Sequence, residues 1–283
     1  RIGRSFFKVA LKRPEIEIVA INDLGDIDNL AYLLKYDSVY GREGLDIKTE
    51  RGAGPSDPSF LIVNGKKINF VQQKDPANLP WKDLNIDVAV ESTGFFESYE
   101  AASAHIKAGA KRVVITAPAK DKPGSTVVGK TVLIGVNEDE LATCQVSSNG
   151  SCTTNSSSPV VQIMHETIGV KKAFLSTVHG YTATQKLVDS PDAKDWRRGR
   201  AGAVNIVPSS TGAAISVTEA VKSLKGLFDG IAIRVPTPTG SLADITFVAG
   251  RPTSVQEIND IFRKASEDPR WKPVMGVINE QVV

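Results

Sequence analysis

The chain has 283 residues, of which 41% are hydrophobic, and its 34 basic and 32 acidic side chains leave a net charge of +2. With no long run of lysine and arginine and no apolar stretch long enough to cross a bilayer, we predict no nucleic-acid or membrane partner. Two cysteines in unlike surroundings do not make a disulfide framework, so we expect a soluble protein in a reducing, cytoplasmic compartment, and the length suggests two domains.

The first half of the chain alternates between short apolar strands and helices. Runs rich in β-branched residues predict strands at 16–21, 88–90 and 113–116, and helix-compatible stretches lie at 27–35 and 100–109. Strands and helices that alternate in this order form parallel sheets covered by helices. We therefore expect an α/β domain with a parallel sheet in this half.

After residue 151 the pattern changes to a helix followed by longer strands. The predicted elements are helices at 153–167, 211–224 and 254–266 and strands at 172–178, 230–235 and 242–249. They indicate a second domain with a mixed sheet, so we divide the chain into domains at 1–151 and 152–283. The segment 181–204 is long and irregular, and loops of that length are uncommon unless they are functional or part of an interface.

Cys152 lies among hydrogen-bonding residues at the start of the predicted helix 153–167. A thiol is mostly protonated at neutral pH, so a nucleophilic cysteine needs a base or a helix N-terminus beside it. The helix start offers unpaired N–H groups, and His179 is a candidate base. A random cysteine and histidine are more often ordinary structural residues. The polar neighbours of Cys152 favour a catalytic pair, whereas Cys144 lacks them and is interpreted as structural.

Nine separated blocks, in order along the chain, resemble the phosphorylating glyceraldehyde-3-phosphate dehydrogenase family. The blocks are 1–4, 21–24, 33–38, 91–94, 116–118, 152–155, 179–186, 208–214 and 234–238. The resemblance implies a Rossmann-type, doubly wound parallel sheet in the NAD-binding domain and an α+β catalytic domain with a mixed sheet. It also leads us to expect a chain truncated at both ends, without the first strand of the NAD domain and without the C-terminal return to that domain.

The resemblance implies an NAD-dependent oxidoreductase of glycolysis and gluconeogenesis. Such an enzyme converts glyceraldehyde 3-phosphate, NAD and inorganic phosphate to 1,3-bisphosphoglycerate and NADH. Cys152 would attack the aldehyde to give a thiohemiacetal, and oxidation would leave a thioester that phosphate cleaves. His179 would activate the thiol and remove a proton during oxidation.

Two anion sites are also implied by positions in the family motifs. Thr182 and Arg234 would hold the substrate phosphate, with Arg198 assisting. The attacking phosphate would be held by four residues, namely Ser151, Thr153, Thr211 and Gly212. Arginine forks and hydroxyl donors suit phosphate, although an isolated arginine or threonine is more often solvated surface, and residues 209–212 would serve equally as a helix cap.

The cofactor-binding residues implied by the resemblance are Arg1, Ile2, Gly3, Asp23, Thr93, Gly94 and Thr116. Asp23 comes about twenty residues after the glycine turn, where a carboxylate can bind ribose hydroxyls and would repel a 2′-phosphate. Leu24 and Pro191 resemble NAD-preferring members, so we expect NAD as the cofactor. An aspartate that ends a strand is, taken alone, more often a turn or cap residue.

The resemblance further implies a homotetramer in which the segment 181–204 packs at the centre. The small-molecule partners would be a phosphorylated aldehyde and inorganic phosphate. His105 and His165 lie in helix-like stretches without a partner at ligand spacing, so we assign them no role and predict no metal site.

Three alternatives remain open from the sequence. Erythrose-4-phosphate dehydrogenases share the scaffold, and the stretch 179–185 favours the triose-phosphate enzymes only weakly. A Cys–His pair could also serve a cofactor-free thioesterase, although Gly3 and Asp23 would then have no purpose. An inactive fragment with a structural or binding role would follow if the chain cannot hold the cofactor.

Overall fold

The structure, a computed structural model, describes residues 1–54, 57–121 and 124–282. Contacts divide the chain into two compact units, of which the first comprises Arg1–Thr116 with Lys120–Val128 and the second Ala117–Ala119 with the chain from Gly129 onward. The predicted boundary between residues 151 and 152 rests on the change of pattern along the chain, not on contacts, and stays a prediction.

The first unit mixes short helices with short strands. Its helices are α1 (Ile2–Ala10), α2 (Ile27–Lys35), α3 (Tyr99–Ala102) and α4 (Ala104–Lys107). Its strands are β1 (Ala20–Asn22), β2 (Tyr36–Asp37), β3 (Gly41–Arg42), β4 (Ile47–Glu50), β5 (Ser59–Val63), β6 (Lys66–Val71), β7 (Val88–Glu91) and β8 (Arg112–Ile115).

Helix α2 has its predicted bounds, and the side chain of Asp26 caps it by accepting the N–H groups of Asp28 and Asn29. The predicted helix 100–109 is instead the two one-turn helices α3 and α4. The hydroxyl of Ser103 donates to the carbonyl of Glu100 at 2.6 Å, and such bonds compete with the helical ladder.

One sheet of the first unit is mixed rather than parallel. Strand β1 runs parallel to β6, while β4, β5 and β6 are antiparallel. Asn64 and Gly65 join β5 to β6 with φ values of 50° and 80°. Two residues with positive φ make the tight turn whose twist matches that of the strands, so this pair sets the hairpin register.

The strand predicted at 16–21 begins only at Ala20. The N–H of Ile16 donates to the carbonyl of Arg13 at 3.1 Å, which closes a turn over the residues just before the predicted start. Strand β1 is correspondingly short, and Asp23 comes directly after it.

Strands β7 and β8 form the expected parallel pair, in which Glu91 lies opposite Ile115. Because parallel strands end at the same edge, residues 92–94 and Thr116 emerge side by side.

The first unit has its own apolar core beneath α1 and α2. Phe7 of α1 and Leu34 of α2 are buried against Leu61, Val63 and Ile68 of β5 and β6. Each such side chain contributes about 1.5–3 kcal/mol when it is fully buried. The core fixes α1, and with it Gly3, on the sheet.

The second unit contains the longer elements. Its helices are α5 (Cys152–Thr167), α6 (Ala213–Ala220) and α7 (Val255–Glu267), and its strands are β9 (Gly129–Thr131), β10 (Val146–Ser148), β11 (Val170–Gly180), β12 (Val207–Ser210), β13 (Phe228–Val235) and β14 (Ser241–Ala249). The main sheet has the order β12-β13-β11-β14, in which β11 and β13 are parallel and the outer strands are antiparallel to their neighbours. This mixed sheet agrees with the prediction.

One face of that sheet is covered by helices. Val161 and Met164 of α5 and Val217 of α6 pack against Leu175 of β11, and the face of α7 adds Phe262. This packing places the start of α5 and the end of β11 in the same unit. Within the described residues, no helix combines the length and apolarity needed to cross a membrane.

Candidate active site

Helix α5 begins at Cys152, one residue before the predicted start. Ser151 is its N-cap, and the Ser151 hydroxyl oxygen accepts the N–H of Thr154 at 3.0 Å. The thiol therefore lies in the first turn, where backbone N–H groups have no partner within the helix and favour an anion. Cys152 is exposed, whereas Cys144 is buried.

His179 lies near the end of β11 and directly faces the thiol. Its Nε2 atom is 3.3 Å from Cys152 Sγ. The hydrogen bond from His179 lowers the pKa of Cys152 to about 7 and outweighs desolvation, and the Thr153 hydroxyl and N–H act in the same direction. The same bond to Cys152 raises the pKa of His179. The two shifts agree, because each results from a thiolate beside an imidazolium.

The other ring nitrogen of His179 has two neighbours that make opposite demands. Nδ1 is 2.7 Å from the carbonyl oxygen of Gly180, which requires a proton on Nδ1, and 2.6 Å from Nη1 of Arg234, which requires a lone pair. Nη1 also donates to the Gly180 carbonyl at 3.1 Å. The residue can thus carry its proton on either nitrogen, which a proton-transfer group needs.

Arg234 reaches this position because β11 and β13 run parallel with His179 opposite Arg234. Burial is the main cause that lowers the pKa of its guanidinium, and the charge of Cys152 acts in the opposite direction. The fixed positive charge beside His179 opposes full protonation of the imidazole.

These groups line a cavity of about 180 Å³. Its lining residues are Pro118, Ser151, Cys152, Thr153, Thr177, His179, Ser210, Thr211, Gly212, Ala213, Ala232 and Arg234. The cavity brings a nucleophile, a proton-transfer group, a cation and the starts of α5 and α6 together. Such a set suits a small anionic substrate that reacts with a thiolate.

Five of the seven residues predicted to bind phosphate line this cavity, namely Ser151, Thr153, Thr211, Gly212 and Arg234. Arg198 lines a neighbouring groove of about 680 Å³ instead, and its Nη2 donates to the Ser209 hydroxyl at 3.3 Å. The hydroxyl of Thr182 lies 3.0 Å from that of Thr184, and Thr182 is not among the described residues that line the cavity. The roles of all seven stay predictions.

The residues predicted to bind the cofactor lie in the first unit. A Cβ atom added to Gly3 would come within 2.9 Å of the Ser92 hydroxyl, so a larger residue would require that hydroxyl to shift where α1 meets the end of β7. Ile2 is 56% exposed, and Arg1 is paired with Asp37 at 3.2 Å.

Asp23 is exposed directly after β1. One of its carboxylate oxygens accepts the N–H of Gly25 at 2.8 Å, which is the turn role expected of an isolated aspartate. A carboxylate has further acceptor positions, so this bond leaves Asp23 able to bind hydroxyl groups.

Thr93, Gly94 and Thr116 emerge where β7 and β8 end. Both the N–H and the hydroxyl of Thr116 donate to the Glu91 carbonyl, at 2.9 Å and 3.1 Å. Gly94 has a φ of +78°, a conformation that favours glycine. The structure therefore groups these three residues, as the prediction requires, while their contacts with a cofactor stay untested.

Comparisons with known proteins agree with this geometry. Residues 1–99 match the family profile described as "Glyceraldehyde 3-phosphate dehydrogenase, NAD binding domain", and residues 151–283 match the one described as its "C-terminal domain". The chain is 44% identical to the glyceraldehyde-3-phosphate dehydrogenase of Haemophilus influenzae over a 287-position alignment that covers 100% of this chain and 81% of that protein. This chain belongs to the glyceraldehyde-3-phosphate dehydrogenase family.

Other family members are as similar. The chain is 45% identical to the glyceraldehyde-3-phosphate dehydrogenase of Bacteroides fragilis and 44% identical to glyceraldehyde-3-phosphate dehydrogenase 3 of Kluyveromyces marxianus, in each case over 100% of this chain and 81% of the relative. The matches confirm the predicted family, its fold class, the NAD cofactor and the oxidoreductase class. The cofactor-free thioesterase and the erythrose-4-phosphate enzyme are not favoured.

Sequence reasoning missed a group of buried polar residues at the end of β7 in the first unit. His105 was assigned no role because it has no acidic partner nearby in sequence, yet its Nε2 atom lies 3.0 Å from the Glu91 carboxylate. Thr177, which also lines the cavity, was missed as well. The signal for Thr177 was its spacing of two residues from His179, since alternate residues of a strand share a face.

Proposed function

We propose that this chain oxidises glyceraldehyde 3-phosphate with NAD and inorganic phosphate to give 1,3-bisphosphoglycerate and NADH. The observation that carries the proposal is the 3.3 Å contact between Cys152 Sγ and His179 Nε2, in a cavity that also holds Arg234. The lowered pKa of Cys152, about 7, makes a large fraction of the thiol nucleophilic at neutral pH.

The reaction begins when the Cys152 thiolate forms a bond to the aldehyde carbon. The carbonyl oxygen becomes an oxyanion, which the Cys152 N–H stabilises and which takes the Nε2 proton of His179 to give a thiohemiacetal. Neutral His179 then takes the hydroxyl proton back as a hydride leaves the same carbon, and a thioester on Cys152 results.

Inorganic phosphate then attacks the thioester carbon. A phosphate oxygen forms the new bond, the carbon–sulfur bond breaks, and Cys152 leaves as a thiolate stabilised by protonated His179. Ser151, Thr153, Thr211 and Gly212 would hold this phosphate, because they line the cavity beside Cys152 and include two helix starts. Arg234 with Thr182 and Arg198 would hold the phosphate of the substrate.

The residues of the first unit fit NAD. Gly3 lies close to the Ser92 hydroxyl just after β7, Gly94 turns the chain with a positive φ, and Asp23 is exposed with acceptor capacity beyond its bond to Gly25. Gly3 with Arg1 and Ile2 at the start of α1 would bind the pyrophosphate, Asp23 the ribose, and Thr93, Gly94 and Thr116 the nicotinamide side. When bound, NAD supplies the hydride acceptor.

A homotetramer and a cytoplasmic location are further parts of the proposal. The sheet face of the second unit that lies opposite the helices carries Phe174, Ile231, Leu242 and Val248, which are 44–62% exposed. Apolar side chains grouped in this way on a sheet support burial against a second copy of the chain. The accessible low-pKa thiol supports a reducing compartment.

The proposal is tested by following NADH absorbance with glyceraldehyde 3-phosphate, NAD and phosphate. We expect formation of NADH that requires phosphate. Its rate should fall by at least about 10³-fold in Cys152→Ser, because a serine hydroxyl is far less acidic than a thiol and is a weaker nucleophile. Cys144→Ala is the matched control and should keep the activity. Acylation of Cys152 by an activated aryl ester, followed by phosphate-dependent release, tests the thiol chemistry separately from the cofactor. Absence of both activities would refute the proposal.

A further inference from the structure

Three buried polar side chains form a chain of hydrogen bonds behind the end of β7. Trp81, His105 and Glu91 are only 6%, 6% and 4% exposed. Trp81 Nε1 is 2.9 Å from His105 Nδ1, and His105 Nε2 is 3.0 Å from Glu91 Oε2. The rings of Trp81 and His105 are nearly coplanar, with 19° between their planes. Burying polar groups costs free energy unless each one is hydrogen-bonded, so this network favours a single arrangement of the three side chains.

The donors and acceptors of this chain fix where the protons lie. The indole of Trp81 is only a donor, so His105 Nδ1 must accept and cannot carry a proton. The single proton of a neutral His105 then lies on Nε2 and is donated to Glu91.

Glu91 connects this hydrogen-bond network to the turn that follows β7. Its Oε1 accepts the N–H of Thr93 at 2.7 Å and the Thr93 hydroxyl at 2.5 Å. Burial acts to raise the pKa of Glu91, but the hydrogen bonds from His105 and Thr93 outweigh it and leave that pKa below the ordinary value. The carboxylate is therefore charged, and both of its oxygens accept hydrogen bonds.

These hydrogen bonds use both donor groups of Thr93, which limits how the turn can bind a ligand. The Thr93 hydroxyl donates its hydrogen bond to Glu91 and accepts the N–H of Phe95 at 3.1 Å. Thr93 can therefore meet a ligand only as an acceptor, through its remaining lone pair or its carbonyl. An acceptor of this kind suits a group that donates N–H bonds, such as a carboxamide.

The far end of the network is anchored by backbone packing. The N–H of Lys82 donates to the carbonyl of Ala108 at 3.0 Å, just after α4. Gly109 has a φ of +110°, and a Cβ atom there would lie 2.6 Å from the backbone of Lys82. Trp81 is thus held against α4, the helix that carries His105.

We propose that Trp81, His105 and Glu91 are positioning residues that hold Thr93 and Gly94 as an acceptor turn for the carboxamide end of the cofactor. The inference rests on the proposed function, because that function assigns the turn to NAD. None of the three residues touches the reacting atoms. Their effect is on cofactor affinity, and the chemistry of Cys152 is independent of them.

The test compares two substitutions at one position. His105→Leu removes both hydrogen bonds, whereas His105→Gln keeps one acceptor and one donor. Because His105→Leu removes one of the three hydrogen bonds of the buried Glu91 carboxylate and leaves the Trp81 N–H without its acceptor, we expect this variant to raise the KM for NAD by roughly ten- to a hundredfold, with kcat changed by less than about threefold. His105→Gln should stay within about fivefold of the parent KM, and Trp81→Phe should lie between the two.

Matched measurements separate positioning from folding and from the proposed function. His165→Leu, a histidine of α5 outside the network, is the control for the substitution itself. Nitrogen NMR of the parent should show His105 as a neutral ring with its proton on Nε2, and His105→Leu should shift the Thr93 and Gly94 amide signals without ligand while other amide signals persist.

Unchanged KM for NAD in His105→Leu, or equal losses in His105→Leu and His105→Gln, would overturn the inference and leave the proposed function intact. A parent chain that bound no NAD would overturn the proposed function and the cofactor role of the turn together. Unshifted Thr93 and Gly94 signals in His105→Leu would overturn the positioning of the turn itself.

Discussion

Two histidines of this chain bond an acidic partner, and their surroundings differ in whether the bonding is complete. His105 is buried, and each of its nitrogens has one compatible neighbour, Trp81 or Glu91. His179 is only partly buried, faces the exposed Cys152, and has two neighbours at Nδ1 that demand opposite protonation. Complete, buried bonding fixes one proton arrangement, whereas incomplete bonding allows a proton to move.

The same difference extends to the acidic partners. The Glu91 carboxylate accepts three hydrogen bonds and is closed to ligands at those positions. Cys152 has its base on one side and an open cavity on the other. The difference in bonding suits Cys152 and His179, in the second unit, to proton transfer. It suits Glu91 and His105, in the first unit, to holding neighbouring residues in place.

The largest expected effect comes from removing the imidazole of His179, which carries the transferable proton. His179→Asn should lower the rate of NADH formation by roughly 10²–10⁴-fold, because in the proposed mechanism the imidazole serves as both acid and base. Steady-state kinetics with saturating NAD measure it, and His165→Asn is the control for a histidine outside the site. An asparagine variant with nearly full kcat would break the comparison, since His179 would then have no chemical role.

The pH dependence of thiol reactivity sharpens the comparison. Because the pKa of Cys152 is lowered to about 7, its thiolate accumulates as the pH rises through about 7, and the alkylation rate should rise over that range. In His179→Asn the rise should move to higher pH, toward the ordinary range of a thiol. His105→Leu should leave the profile unchanged. A parent profile that rises only in the ordinary thiol range would contradict the contact with His179.

A smaller effect is expected at Asp23, the carboxylate among the predicted cofactor-binding residues. Asp23→Ser should weaken NAD binding by roughly tenfold and improve binding of NADP relative to NAD, because under the proposed function the carboxylate would bind ribose hydroxyls and repel a 2′-phosphate. Titration with both dinucleotides measures the ratio, and Asp83→Ser is the control at an exposed aspartate of the same unit. If the ratio did not change, Asp23 would be only the turn residue that its bond to Gly25 indicates.

Local patterns predicted the longer elements of this fold well. Helix α2 has its predicted bounds, and β11, β13 and β14 lie within one or two residues of the predicted ends. These segments have strong apolar patterns and long packed lengths. The hairpin of β5 and β6 was missed although Asn64 and Gly65 are a strong hairpin signal, so the failure there was one of recognition.

The candidate site could be predicted only in part for a different reason. Cys152 and His179 carry recognisable flanking residues, and the structure brings them together. The network of Trp81, His105 and Glu91 joins residues from three separate segments, and no spacing rule connects a histidine in a one-turn helix to a glutamate that ends a strand. Such a network depends on tertiary packing, which a single sequence does not display.

The last expected effect is on stability and concerns the backbone that holds the buried network in place. Gly109→Ala would force a positive φ on alanine and press its Cβ atom against the Lys82 backbone, so we expect a loss of about 2–4 kcal/mol in the free energy of unfolding. Gly65→Ala, with a φ of +80° and open space around its Cβ, should lose only about 1–2 kcal/mol. Denaturant unfolding of both variants gives the difference. Equal losses would mean that the close approach of Trp81 to α4 does not depend on Gly109.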